Sequence, residues 1–198
     1  GLSRMFVLIS FPMAVWPGCV CWACLQIYSV QVESEPMMII RPVPLTKDVF
    51  SPFGDVLETD EVDPTPINFG NTQKFGGLSQ ITYDDDGFAQ ISIYRSRAIE
   101  LPFRIQLLEC HPLGSQAFYP LHQRPFPVVV ARACDNPAAK DIHVFISNGR
   151  QGVNLRAGVW HHYQLTLEED SDYLVVDRGG EGDNYREHRL QEELWLHR

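Results

Sequence analysis

No basic stripe runs through this chain. Lys and Arg number 16 against 25 Asp and Glu, a formal net charge of −9 at pH 7. That balance argues against a nucleic-acid partner, because phosphate binding relies on clustered cations. The sequence also has no G-x-G-x-x-G, no P-loop and no G-x-S-x-G, which disfavours nucleotide chemistry and serine-hydrolase chemistry. Its five cysteines are unevenly spread, with Cys19, Cys21 and Cys24 crowded near the start and Cys110 and Cys134 isolated in the body. An odd, uneven set is not a disulfide framework and fits a reducing compartment. No Cys or His pair at finger spacing follows Cys-x-Cys-x-x-Cys, so a structural zinc site is not expected there. Internal repeats and low-complexity tracts are absent.

The composition is otherwise that of a globular protein: 198 residues, 44% apolar and 21% charged, enough for one domain with a full core. A small soluble ligand or another protein is the expected partner. Residues 1–36 are of a different kind. From Met5 to Leu25 nearly every residue is apolar, broken by Pro12, Pro17 and Gly18. The run approaches a membrane span in length and resembles a signal peptide, yet it has internal prolines and no basic cluster. The reading adopted is a start-site extension outside the domain, with a single domain over residues 37–198 and membrane association not expected.

The body reads as strands. Period-two alternation occurs at Ala89–Arg95, Phe103–Leu107, Gln116–Leu121, Pro127–Ala131, Ile142–Ile146, His162–Leu167 and Tyr173–Val176, separated by Pro, Gly, Asn and Asp. A strand-like run opens at Met38. A short helix is expected from Leu45 to Gly54, capped by Thr46. Glu58–Gly77 reads as loop, Asp177-Arg178-Gly-Gly as a turn, and the tail from Tyr185 to Leu196 as a surface helix. The fold class is therefore all-β with short flanking helices, an antiparallel sandwich or small barrel.

Two segments carry the chemistry: Glu109-Cys-His111-Pro-Leu-Gly-Ser-Gln116 and Asn148-Gly-Arg-Gln-Gly-Val-Asn154-Leu-Arg156-Ala-Gly158-Val-Trp-His161-His162. Arg156-x-Gly158-x-x-His161 resembles the second cupin motif, with Arg in place of its proline. Glu109-x-His111 and Gln116 fall where the first motif has H-x-H and a glutamate. The cupin pattern implies a double-stranded β-helix in which Glu109, His111, Gln116 and His161 converge. That quartet could hold a divalent metal such as nickel, manganese or zinc, although Gln116 is a poor ligand. His161 and His162 are adjacent on a strand and must face opposite ways; the motif selects His161 as the inward one. His122 and His143 read as scaffolding.

With Phe53-Gly-Asp55-Val, His111-Pro-Leu-Gly-Ser-Gln-Ala-Phe, Asn148-Gly-x-Gln-Gly-Val-Asn154, Val159-Trp-His-His162 and Asp177-Arg-Gly-Gly180, the chain resembles the ureidoglycolate lyase family from Met38 to its end. The resemblance implies a cytoplasmic homodimeric carbon–nitrogen lyase of allantoin and purine breakdown. Its substrate would be (S)-ureidoglycolate, and its products urea and glyoxylate. On this reading His111 and His161 transfer protons with Glu109 orienting one of them, and Gln116 and Asn154 bind the ureido group. One of Arg95, Arg156 and Arg178 grips the carboxylate. The alternatives are an amidohydrolase releasing ammonia, another metal-dependent cupin enzyme, and a non-catalytic ligand-binding cupin.

Overall fold

Alternation of apolar and polar residues becomes paired strand along most of the body. The computed structural model describes residues 5–6, 29–30 and 37–198. The apolar leader, with Cys19, Cys21 and Cys24, lies outside the described residues except for β1 (Met5–Phe6), paired antiparallel with β2 (Ser29–Val30). Met37–Arg198 form a compact unit of their own. Its first strands are β3 (Met38–Ile40), β4 (Val43–Pro44), β5 (Gly54–Leu57), β6 (Thr65–Ile67) and β7 (Thr72–Lys74), with one helix, α1 (Lys47–Phe50). Then come β8 (Phe88–Ser96), β9 (Phe103–Cys110), β10 (Gln116–Pro120), β11 (Pro127–Ala131) and β12 (Ile142–Ile146). The last are β13 (Gly152–Leu155), β14 (Trp160–His161), β15 (Ser171–Gly179) and β16 (Arg186–Leu196).

Two curled sheets form a half-barrel of the cupin-like kind. One has five strands in the order β5-β13-β10-β15-β8, the other seven in the order β3-β16-β9-β14-β11-β12-β4. Phe50, Phe53, Phe118, Phe126, Val130, Val153 and Tyr173 belong to the core cluster between them. Burying each such aromatic contributes roughly 1.5–3 kcal/mol. A second cluster, including Cys110, Ala131 and Trp160, covers the other face of the seven-stranded sheet. There Trp160 Nε1 donates to the Cys134 carbonyl at 2.8 Å.

Five local expectations are corrected. The tail is no helix. Arg186–Leu196 is a strand pairing antiparallel with β9 and parallel with β3. Its register shifts between Arg189 and Leu194, while Leu190 and Leu194, four apart in the sequence, imitate helical spacing. His162–Leu167 forms no strand beyond one isolated bridge from Thr166 to Ala98, because Glu168 takes a left-handed φ of 66° and turns the chain. Asp177 and Arg178 continue β15 instead of leaving it, since they pair with Gln90 and Ala89. The Glu58–Gly77 loop contains the hairpin β6–β7. Helix α1 lies inside the expected span, but the Thr46 side chain makes no capping hydrogen bond.

Candidate active site

Strand register assembles the site. Glu109 pairs with His161, and His161 with Val130, so these three side chains share one face of the seven-stranded sheet. Their neighbours Cys110, Trp160 and Ala131 share the opposite one. Val130 belongs to the core between the sheets, which makes the Glu109–His161 row the inner row. His111 lies two residues beyond Glu109 and falls on the same side. Its carbonyl accepts from Gly158 N at 2.9 Å, and Gly158 takes the left-handed φ of +81° that this turn needs. The motif glycine thus ties the two histidine segments together.

Among the described residues, Glu109, His111 and His161 offer ligand atoms all within 4.8 Å of one another. The two imidazole rings lie 5.3 Å apart, and Phe118 walls His161 at 6.1 Å. His162 points away, against Phe103 and Tyr163.

Both histidines are held the same way. His111 Nδ1 donates to the Asn184 carbonyl at 2.8 Å, and His161 Nδ1 to the His162 carbonyl at 3.1 Å. A carbonyl only accepts, so each ring carries a proton on Nδ1 and leaves Nε2 as the nitrogen free for other contacts. His161 Nε2 is buried and has no hydrogen-bond partner. The His161 side chain is 3% exposed and Glu109 is 20% exposed, so the histidine is the more deeply enclosed of the two. Burial and the neighbouring His111 hold His161 down to about 3, a neutral ring, while burial raises the Glu109 carboxyl. These donors fit a divalent metal. Two imidazoles oriented through Nδ1, one orphaned Nε2 and a carboxylate are what such an ion needs.

The remaining predicted residues divide. Gln116 shares the inner face with Phe118, two residues along β10, but its Nε2 donates to Asp177 Oδ2 at 3.2 Å. Asn154 does not reach the site. It pairs with Ala117 and Asp55, and its neighbours Val153 and Leu155 enter the core, so its side chain is on the outer face. There its Nδ2 donates to Ser79 Oγ at 2.8 Å and the Gln80 carbonyl at 3.0 Å.

The three predicted arginines are engaged elsewhere. Arg95 is 77% exposed and pairs with Asp172 at 2.8 Å. Arg156 reaches the Ser51 carbonyl and lies 3.8 Å from Asp55. Arg178 spends its guanidinium on Asp84 and on the Gly180 and Glu181 carbonyls. That pairing holds the Asp84 carboxyl below the usual carboxylate range.

Five inner-face groups escaped the sequence reading. Tyr94 Oη lies 3.5 Å from Asp177 Oδ2, and burial followed by the charges of Asp177 and Glu109 raises it. The Tyr185 ring lies tilted at 6.1 Å from that of His111. Glu187 pairs with Glu109 across the strands, and Arg189 Nη2 lies 3.1 Å from Glu187 Oε1. Reading the tail with period two would have found Glu187 and Arg189; extending β15 by one residue pair would have found Asp177.

Residues 37–197 match the family model described as ureidoglycolate lyase. The chain belongs to the ureidoglycolate lyase family. Among its relatives, the ureidoglycolate lyase of Pseudomonas entomophila (strain L48) is 51% identical over 154 residues, which are 77% of this chain and 92% of that one. That of Pseudomonas syringae pv. syringae (strain B728a) is 52% identical, covering 77% and 91%. That of Burkholderia mallei (strain NCTC 10229) is 50% identical, covering 77% and 90%.

Proposed function

We propose that this protein is a carbon–nitrogen lyase that cleaves (S)-ureidoglycolate to glyoxylate and urea in the breakdown of allantoin. One observation carries the reading: in a member of this family, Glu109, His111 and His161 converge within 4.8 Å on the inner face. The reaction needs neither water nor a redox partner. The hydroxyl O–H bond breaks and its electron pair forms the new carbonyl. The C–N bond then breaks, and the nitrogen keeps that pair and takes a proton to become urea.

The residues suit these movements. His111, which is partly exposed and has its Nε2 free of the Asn184 contact, takes the hydroxyl proton and returns it to the departing nitrogen. His161, fixed and buried, supplies a neutral lone pair, and Glu109 stands 3.8 Å from its ring. A divalent ion such as nickel, manganese or zinc, held by Glu109, His111 and His161, would occupy the one free nitrogen of His111 and would polarise the substrate oxygens as a Lewis acid in place of proton transfer by that ring. For the carboxylate, Arg189 replaces Arg95, Arg156 and Arg178 as the candidate clamp, because it alone of the four lies on the Glu109 side of its sheet.

A second copy fits the outer face of the five-stranded sheet. Ile91 and Ile93 are 73% and 55% exposed on edge strand β8. Beside them a cavity of about 340 Å³ is lined by Leu57, Phe75, Leu78, Tyr119, Leu174 and Val176, among others. An apolar face that continues to a sheet edge suits an isologous homodimer. Among the described residues no helix is long and apolar enough to cross a membrane, and a cytoplasmic location accords with the free thiols Cys110 and Cys134.

The test is to incubate the protein with (S)-ureidoglycolate and quantify urea, ammonia and glyoxylate. Urea with glyoxylate is expected. Ammonia without urea would mean the amidohydrolase instead, and no turnover would mean a binding module. Chelator treatment followed by single divalent ions, with metal content measured in parallel, decides whether a resident ion is required.

A further inference from the structure

Two buried acceptors on the inner face lack donors. Gln116 is 4% exposed, and its Oε1 has no hydrogen-bond partner; neither has Asp177 Oδ1. The two side chains are already joined, Gln116 Nε2 to Asp177 Oδ2, which fixes the amide so that its oxygen is the free end. Burying polar atoms without partners costs free energy that a ligand's donors would recover. Phe118, on the Gln116 face, reaches His161 at 6.1 Å and Tyr94 at 6.2 Å. The acceptor pair therefore shares its compartment with the histidines.

A ligand group that satisfies both acceptors donates more than one hydrogen bond and carries no negative charge. An ionised carboxylate has no donor and would be repelled by Asp177. A ureido group has an NH and an NH₂ in one plane and meets both requirements. We propose that Gln116 and Asp177 together read the ureido end of the substrate and so fix its direction, with the substrate carboxylate turned toward Arg189 at the rim. This rests on the lyase reading above and adds Asp177 to the binding machinery. The rejection of analogues that lack these donors follows from the same pair, since such analogues leave both acceptors unpaired.

The test compares Asp177→Asn with wild type, using urea and glyoxylate as product inhibitors. Asp177→Asn keeps the shape and replaces an obligate acceptor. The KM for ureidoglycolate and the inhibition constant for urea should each rise at least about tenfold. The inhibition constant for glyoxylate, which has no ureido group, should not move. Unchanged KM and urea constants in an active variant overturn the proposal. So does a rise in the urea and glyoxylate constants together, which marks a merely structural effect. Should Asp177→Asn fail to fold, Gln116→Met, close in volume and without acceptor oxygen, is put to the same comparison. Wild type that releases no urea sinks the lyase reading and this proposal together; active wild type beside an unaltered variant sinks only this one.

Discussion

The two faces of the five-stranded sheet are made by alternate residues of the same strands, yet they do unlike work. Across β10 and β15 the inner face carries Gln116, Phe118, Val175 and Asp177, and the outer face carries Ala117, Tyr119, Leu174 and Val176. The inner set includes two orphaned acceptors and faces the histidine cluster. The outer set is apolar and borders exposed Ile91 and Ile93. A shift of one residue in register would exchange the two sets, so the pairing that shapes the barrel also decides which side faces the histidines.

That contrast can be broken at several points. Replacing His161 by Ala should lower turnover by about 10²–10⁴-fold, whereas His162→Ala, one residue along and facing away, should leave a folded variant active; steady-state kinetics on the pair decide it. Phe118→Ala opens a cavity beside His161 and should cost about 3–5 kcal/mol in denaturant unfolding. The outward Tyr119→Ala, at a position 37% exposed, should cost far less. Asn154→Ala should cost about 1–3 kcal/mol, from lost hydrogen bonds to Ser79 and Gln80, with KM unaltered. A large rise in KM would return Asn154 to the substrate site.

Two further tests concern the outer face and its rim. Ile91→Asp with Ile93→Asp should shift sedimentation from dimer to monomer; an unchanged mass would move the contact elsewhere. The smallest effect is in acid. The Asp84 carboxyl is held down by Arg178, so the pair's stabilisation is complete above the ordinary carboxylate range. It is lost as the pH falls through the lowered value. Asp84→Asn should therefore flatten the acid side of a Tm-versus-pH curve and leave its slope near neutrality unaltered.

Much of the inner face was legible in residues. The step from Glu109 to His111 and the opposed pair His161–His162 follow from period two alone, and the cupin spacing joined the two segments. Asn154 could have been placed by the same rule, because Val153 and Leu155 flank it and both enter the core. Other features needed contacts that spacing does not carry. Asp84 lies 94 positions from Arg178, so nothing local marks that arginine as already engaged. The spacing of Leu190 and Leu194, across a register shift that breaks the alternation of β16, made that strand read as a helix and hid Glu187 and Arg189. Asp177 was lost because Gly179-Gly180 suggested a turn, while pairing with β8 carries the strand through Gly179.

The central claim is that the inner cluster itself breaks the C–N bond of ureidoglycolate. Its most direct test is the initial rate of urea and glyoxylate release from (S)-ureidoglycolate, measured side by side for wild type and a folded His161→Ala variant. Wild type should release equal amounts of urea and glyoxylate, and the variant almost none. Urea release by His161→Ala at the wild-type rate, or ammonia in place of urea from wild type, would contradict it.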